Sequence, residues 1–427
     1  MTTIDQYDIV IVGGGPGGIG AAVAAGRSGA RTLLIEREGC LGGGSTTMLV
    51  NPFMPYTTTV WADGPHYILN AGVFGEVVAK LLERKACNPN DVRRFDDEII
   101  KVIYDELVKG AGVDVMFHAA LFDAEMDGPR IRAVRLAHNS GPIRVTGRQF
   151  IDSTGDGLLA ALAGCKIMLG NELGKVMPMT LNFIVGGVDH AQMPTSKEIK
   201  AMATVGDKDT PALINTNLSC TSWRRPGELH FNAVRVPGNT LDPMDLSRAE
   251  IEGRRRAENY VQWLRARVPG FANAFLMKTG AHIGIRESRR VVGDYILNVD
   301  DFKRSAKFDD AIACCAYPSD IHTDEPNATC FLHQPPGEFY QVPYRCLTPK
   351  GKTNLLVAAR SISVDIPMHG SVRIMPPVMN IGEAAGFAAA MCLPEGDIHK
   401  VDVRELQRRI VANGGIIMPD KHLEAQQ

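Results

Sequence analysis

Apolar residues are not spread evenly along this chain; they gather in short runs separated by glycine-rich punctuation. The first run, from Tyr7 to Val12, is dominated by β-branched residues and ends in the unbroken series Ile9-Val10-Ile11-Val12. A run without polar alternation predicts a strand buried on both faces of a parallel sheet. Small residues from Ile19 to Ser28 predict a tightly packed helix, and Thr32 to Ile35 a second strand. Further on, the pattern predicts a helix over Glu98 to Gly110 and a strand over Val113 to Phe117. Residues 121 to 149 alternate polar and apolar around Asp127-Gly128 and Asn139-Ser140-Gly141 turns, as in a β-meander. A short apolar strand before Asp152 leads into an alanine-rich helix. Strands are predicted at Thr180 to Val185 and Leu229 to Val234, and a charged helix from about Ser247 to Val268. A return strand near 340, a strand at Leu355 to Ala358 and a last small-residue helix beginning near Asn380 complete the reading.

Strands alternating with helices place the chain in the α/β class. Its 427 residues are enough for more than one core. The flavour of the pattern changes after 169 and returns near 341, so residues 1–169 and 341–427 are expected to form one domain, interrupted by an α+β insertion over 170–340. No internal repeat interrupts this scheme.

The glycines after the first strand carry chemistry. Gly13, Gly15 and Gly18 form GxGxxG at a strand-to-helix turn. Such glycines allow the tight turn, a close approach to a pyrophosphate and close helix packing, while the helix N-terminus faces the phosphates. Glu36 ends the second strand, where a carboxylate accepts hydrogen bonds from both ribose hydroxyls. Strand, glycines, helix, strand and acid in this order predict a dinucleotide site, which by itself could take FAD or NAD. Two more segments belong with it: the glycine- and hydroxyl-rich GCLGGGSTTMLV (39–50), and Thr154-Gly155-Asp156-Gly157 at another strand-to-helix turn. The last helix, rich in alanine and glycine, can lay its backbone against a planar ligand.

On GGGPGG with Glu36, LGGGSTT, FIDSTGDG, IGIRESRRVVGDYIL, NLLVAARSIS and GSVRIMPPVMNIGEAAG, nearly the whole chain resembles the FAD-dependent oxidoreductases. Their flavin domain is shared with the glutathione-reductase-2 group, including the fumarate reductase flavoproteins. The resemblance implies a Rossmann-like FAD-binding domain assembled from discontinuous segments, with the inserted substrate domain over the flavin. Carried over by position, Gly13, Gly15, Pro16, Gly17, Glu36 and Arg37 would hold the ADP half. Gly43, Ser45 and Thr46 would lie near the flavin and pyrophosphate, and Thr154, Gly155 and Asp156 beside the adenine and diphosphate. Asn380, Ile381 and Gly382 would line the isoalloxazine, and Ala120 or Leu121 would offer backbone contacts to the adenine. One departure is Ala359, where the family usually has glycine before the arginine.

Composition and charge narrow the function classes. With 45% hydrophobic and 22% charged residues, this is an ordinary globular composition. A formal net charge of -2 points to neither nucleic acid nor an acidic membrane surface. No run approaches a membrane span, and the short stretch before Ile9 lacks a basic n-region, so no signal peptide is expected. Nine scattered cysteines without CxxC spacing fit a reduced, cytoplasmic setting and predict no metal site. There is no second GxGxxG and no redox cysteine pair of the disulfide-reductase kind.

The expected partners are a small-molecule substrate and, at most, further copies of the same chain; the electron donor or acceptor is left open. The expected reaction is hydride transfer between flavin N5 and a small polar organic molecule. Flavin monooxygenation, a thiazole-synthase-like non-redox use of the pocket, and a non-catalytic flavin-binding subunit are the alternatives. His369 and His322 are candidate acid–base groups. Arg286, Glu287, Arg289 and Arg290 form a dense charged cluster that is either a carboxylate clamp or an ion-pair network between domains. Arg373 is a further catalytic candidate; with His369 it lies in the loop before the last helix, where the resemblance puts the flavin. Tyr340, Tyr344 and Cys314-Cys315 read as packing, Cys40 as a thiol with no partner nearby, and Arg254-Arg255-Arg256 as a solvated helix face.

Overall fold

The computed structural model describes residues 2–59, 63–88, 90–203, 219–222, 225–323 and 328–419. Strand β1 (Thr2–Val12) is followed by helix α1 (Pro16–Arg27) and strand β2 (Thr32–Ile35). Strands β3 (Asp114–Met116), β4 (Ala120–Asp127), β5 (Arg130–Ala137) and β6 (Ile143–Asp152) come next. These six, with Leu355–Val357 far along the chain, build a seven-stranded sheet. Its parallel part runs β3-β2-β1-β6, with Leu355–Val357 beside the end of β6; the other half of β6 pairs antiparallel with β5, and β5 with β4.

The register explains why the nucleotide motifs meet. Val12 lies opposite both Ile35 and Asp152, and Asp152 lies opposite Val357. The strands therefore end at one level, and the turns after them, at Gly13, Glu36, Ser153 and Ala358, converge at the carboxyl edge of the sheet. Open α/β sheets bind ligands at that edge. β1 is buried from Ile9 to Val12, as its unbroken apolar run requires.

A second sheet is antiparallel. Strands β7 (Met179–Gly186), β8 (Ser219–Ser222), β9 (Leu229–Val236) and β10 (Phe275–Thr279) lie in the order β8-β9-β7-β10. Helix α2 (Pro243–Arg267) packs against it. Its separate core, spanning Met179 to Ile283, includes Trp263 and the stacked rings of Phe183 and Phe231, 5.1 Å apart. From Val291 onward most of the buried apolar residues return to the first core, while Cys314, Ala316 and Phe339 form a small cluster with Leu69. Most of 291–340, expected within the insertion, thus packs with the nucleotide sheet.

Two helices start four or more residues before the pattern predicts. α2 begins four residues before the predicted start because the Asp242 side chain accepts from the Met244 and Asp245 amides, with Pro243 in the first turn. The last long helix, α4 (Met375–Met391), follows a short helix α3 (Ile366–Val372) and starts five residues before Asn380. Pro376 and Pro377 read as breakers, yet in a first turn their missing N–H groups are not needed. α4 is buried almost throughout and packs along α1, glycine against backbone.

Among the described residues no helix is long and apolar enough to cross a membrane, and no His, Cys, Asp and Glu group is placed to hold a metal ion.

Candidate functional site

The glycine turn is held by contacts only glycine permits. Gly13 has φ +101°, and a Cβ there would fall 2.3 Å from the Ser153 carbonyl oxygen. A Cβ on Gly17 would fall 1.8 Å from the Ala358 oxygen, and one on Gly382 would fall 1.9 Å from the Gly17 oxygen. Gly15 is different. Its backbone is extended (φ -71°, ψ -174°), and a Cβ there would meet nothing within 4 Å. The glycine is not required by the protein's own packing; the space in front of it opens into a cleft of about 500 Å³. A bare backbone beside open space at a helix N-terminus is a cradle for a pyrophosphate.

Glu36 Oε2 accepts from the Gly14 amide at 2.6 Å, and Oε1 from the Glu38 amide at 2.9 Å. Two backbone donors aim the carboxylate into the cleft, and oxygen lone pairs remain for a ribose. Arg37 lines the same cleft and pairs with Glu38 at 3.0 Å. Ala120 and Leu121 line it beside Glu36. Asp152 organises the STGDG turn: its oxygens accept from the Thr154 amide and hydroxyl and from the Ala160 amide. That turn sets Thr154, Gly155 and Asp156 on the cleft. Asp156 accepts from Arg360 at 2.6 Å and Ser288 at 2.5 Å. Although burial opposes its charge, Arg360, Ser288 and Arg37 hold its pKa below the usual carboxylate value. These residues fit an ADP moiety with its diphosphate.

Three expectations about site residues need correction. Ser45 gives its hydroxyl to the Gly42 carbonyl and contacts Tyr104 Oη, and Thr46 gives its own to the Leu41 carbonyl. Both side chains are spent on folding the loop, which presents Gly43, Gly44, Thr47 and Met48 to the cleft instead. Asn380, Ile381 and Gly382 lie inside α4 because the helix starts earlier. Asn380 donates to the Ala71 carbonyl and Gly382 meets α1, while Arg373, Ile374, Met375 and Val378 line the cleft. His369 is also off the cleft. It is 1% exposed within α3, and burial, then Arg373, Arg290 and Arg360, push its pKa well below 6.5. A buried imidazole among three guanidiniums cannot serve as a base at the cleft.

Other candidates do converge there. Arg286, Arg373 and His322 share the cleft wall with Tyr317, Asp320, Thr180 and Asn182. Arg286 donates to the Pro178 carbonyl at 2.8 Å and to the Thr180 hydroxyl. Burial first, then Arg373 and Arg235, lower its pKa to about 9. Arg373 donates to the Asp320 carbonyl at 3.3 Å and lies 3.7 Å from its carboxylate. Asp320 opposes these cations; despite burial, His322 and Arg373 hold it down to about 2. His322 is pushed down to about 3, chiefly by burial and Arg286.

The charged cluster divides between the two roles open to it. Arg286 and Arg289 line the cleft, whereas Glu287 and Arg290 form a buried ion pair. Glu287 accepts from the Met177 amide and Arg290 donates to the Gly170 carbonyl, so this half is architectural. Tyr340 and Tyr344 are buried, with hydroxyls on Ser371 and the Ile398 carbonyl. Tyr317 and Asp320 were not singled out from the sequence. The signal was the two-residue spacing: Asp320 and His322 share one face of the strand Ser319–His322, as Thr180 and Asn182 do on β7.

Comparison with known proteins bears on the cofactor. Over 71 residues the chain is 35% identical to the mitochondrial dihydrolipoyl dehydrogenase of Pisum sativum, a match covering 16% of this chain and 14% of that one. Over 108 residues it is 35% identical to a ferredoxin–NADP reductase of Streptococcus equi subsp. zooepidemicus, covering 25% of this chain and 28% of that one. The chain thus spans only a small part of the curated relatives it matches. Among solved structures, a geranylgeranyl bacteriochlorophyll reductase-like protein from Thermoplasma acidophilum aligns over 96% of this chain and 84% of its own, with TM-score 0.47 and 14% identity. The p-nitrophenol 4-monooxygenase of Pseudomonas putida aligns over 97% and 89%, with TM-score 0.43 and 12% identity. The sequence profile of the FAD-dependent oxidoreductases, by contrast, matches residues 8–410, nearly the whole chain. The protein belongs to the FAD-dependent oxidoreductase family and is an enzyme whose cofactor is FAD.

Proposed function

We propose that this enzyme transfers hydride between flavin N5 and a small polar substrate bearing a carboxylate, with Arg286 and Arg373 receiving that carboxylate. The observation that carries the reading is that one cleft is lined both by the dinucleotide cradle and by this cationic wall. FAD supplies the two-electron redox chemistry. Gly13, Gly15, Pro16, Gly17, Glu36, Arg37, Gly43, Thr154, Gly155 and Asp156, with Thr47 and Met48, would hold it.

The charge balance of the wall favours an anion. Arg286, Arg373 and Arg235 act on Asp320 or on one another, and His322 stays neutral at pH 7. Desolvated guanidiniums facing one carboxylate gain from a second one, and a guanidinium binds it through paired N–H donors. Thr180 and Asn182 add polar side chains that orient the rest of a small molecule. A clamp of arginines on an acid is also what a relation to the fumarate reductase flavoproteins would lead one to expect. The antiparallel sheet with α2 would form the lid of the substrate site. Asn182 donates to the Met48 carbonyl at 2.8 Å and the His282 amide to Thr47, which ties that sheet to the glycine loop.

The test is anaerobic. Holoenzyme is titrated with carboxylic acids and with the matching amides while flavin absorbance is followed at roughly 450 nm. Acids, and not amides, are expected to bleach the oxidised flavin or reoxidise the reduced one. Arg286→Met should weaken the productive acid by about 3 kcal/mol, roughly 100-fold. Equal response to acid and amide, or an unchanged Arg286→Met, would overturn the assignment.

A further inference from the structure

His322 is the titratable group at the cationic wall that the sequence marks as a proton carrier, and its surroundings disqualify it. Nε2 lies 3.2 Å from Asp320 Oδ1, and Nδ1 lies 3.2 Å from Thr329 Oγ1. Nδ1 is hydrogen-bonded, Nε2 faces the Asp320 carboxylate, and burial with Arg286 keeps the ring neutral. His282, farther along the cleft, lies with Nε2 2.9 Å from Glu38. His369 is behind the wall, as described above.

Tyr317 is placed differently. Its ring is 3% exposed, and it lines the cleft with Arg286, Arg373 and Asp320. Its hydroxyl lies 3.4 Å from Asp320 Oδ2 and 3.4 Å from Met54 Sδ. The Asp320 contact is at the long end for a hydroxyl donor, while the one to sulfur is of ordinary length. Burial and Asp320 hold the phenol neutral, while Arg373 and Arg286 stand ready to stabilise a phenolate.

We propose that Tyr317 Oη donates the proton that accompanies hydride addition to the substrate, with Asp320 as the positioning residue for its hydroxyl and for His322. This rests on the carboxylate reading of the same wall. The step is the reduction of an unsaturated acid. Hydride, with its electron pair, comes from the reduced cofactor, which is oxidised, and adds to one atom of a C=C or C=O bond. The π pair of that bond takes the Tyr317 proton at the other atom. The Oη–H bond breaks, and the phenolate left beside Arg286 and Arg373 is reprotonated from water. A neutral phenol favours this direction over dehydrogenation, which would need a phenolate at the start.

The experiment uses holoenzyme reduced with dithionite and mixed anaerobically with fumarate, crotonate, pyruvate or 2-oxoglutarate, in H₂O and D₂O. Tyr317→Phe is expected to slow flavin reoxidation by about 100-fold or more and to lose the solvent isotope effect. It should keep its FAD and bind the unreactive acids succinate and butyrate as the wild type does. His322→Gln is expected to slow reoxidation by less than about tenfold and to keep the isotope effect, since removing one partner of Asp320 leaves the donor in place. A second readout needs no turnover. In an alkaline titration of oxidised holoenzyme, the phenolate absorbance present in wild type and missing in Tyr317→Phe should emerge only above the ordinary tyrosine value of about 10. Reoxidation in Tyr317→Phe at the wild-type rate, or a phenolate emerging at or below that value, would overturn the role of Tyr317 and leave the carboxylate reading intact. If none of the four acids reoxidises the wild type, the carboxylate reading itself fails, and the proton donor with it.

Discussion

Alanine substitutions at Gly382 and Gly15 should behave oppositely. In Gly382→Ala the new Cβ would sit 1.9 Å from the Gly17 oxygen and 2.7 Å from its carbonyl carbon, where ordinary contacts begin at 3.4 Å. α4 and α1 must therefore part by about 1.5 Å, and neither can yield by a side-chain rotation, because the obstruction is backbone. Overpacking of this kind costs about 3 kcal/mol, and the better helix propensity of alanine returns about 1 kcal/mol. A net loss of about 2 kcal/mol in the apoprotein is expected. In Gly15→Ala the Cβ meets no protein atom and the backbone is already in an ordinary extended conformation. Apoprotein stability should stay within about 0.5 kcal/mol of wild type. The methyl group would project where the pyrophosphate must approach, and FAD affinity should fall by about tenfold or more. Urea unfolding of the apoproteins and equilibrium dialysis with FAD measure the two effects separately. The reasoning is refuted if Gly382→Ala unfolds at the wild-type midpoint, or if Gly15→Ala holds FAD as tightly as wild type.

Glu287→Gln leaves Arg290 charged and buried without its counter-ion, which should cost about 3–5 kcal/mol; an unchanged urea midpoint would show that the pair is not the architectural element described. Glu36→Ala removes the acceptor of the Gly14 and Glu38 amides and the ribose partner, so FAD affinity should drop at least about tenfold by dialysis. Stability should also respond to pH. Burial drives His230 down to about 4, so between its unfolded value of about 6.5 and that point only the unfolded chain takes up the proton. Its neutral form supports the fold fully above about pH 6.5, and roughly 3 kcal/mol is lost as pH falls toward 4. His322, at about 3, adds a loss of the same sign. Glu383, raised to about 7 chiefly by burial, acts oppositely: it is most favourable when protonated, and its contribution falls as pH rises from about 4.5 to 7. Unfolding midpoints of wild type and His230→Gln across this range should differ in slope, and parallel curves would refute the assignment.

Local spacing alone was enough for the dinucleotide half of the site. A buried strand must read as an unbroken apolar run, a turn against a pyrophosphate needs Gly13 and Gly15, and an acid that ends the next strand falls at Glu36. Those constraints act within some thirty residues, and the parallel register of β1 with β2 follows from them. The cationic wall obeys no such local rule. Arg286, Tyr317, His322 and Arg373 come from separate stretches and meet only because the residues after 291 fold back onto the nucleotide core. Whether a histidine faces the cleft or the interior also depends on the helix that carries it. His369 was as plausible as His322 in the chain, and the short helix α3 that carries it holds it inside. A hydroxyl beside a glycine loop reads the same whether it points at a ligand or back at the loop; Ser45 and Thr46 point back because Leu41, Gly42 and Tyr104 are there to meet them. The dinucleotide cradle was written in local spacing, while the polarity of the cationic wall was decided by which distant side chains the core brought together.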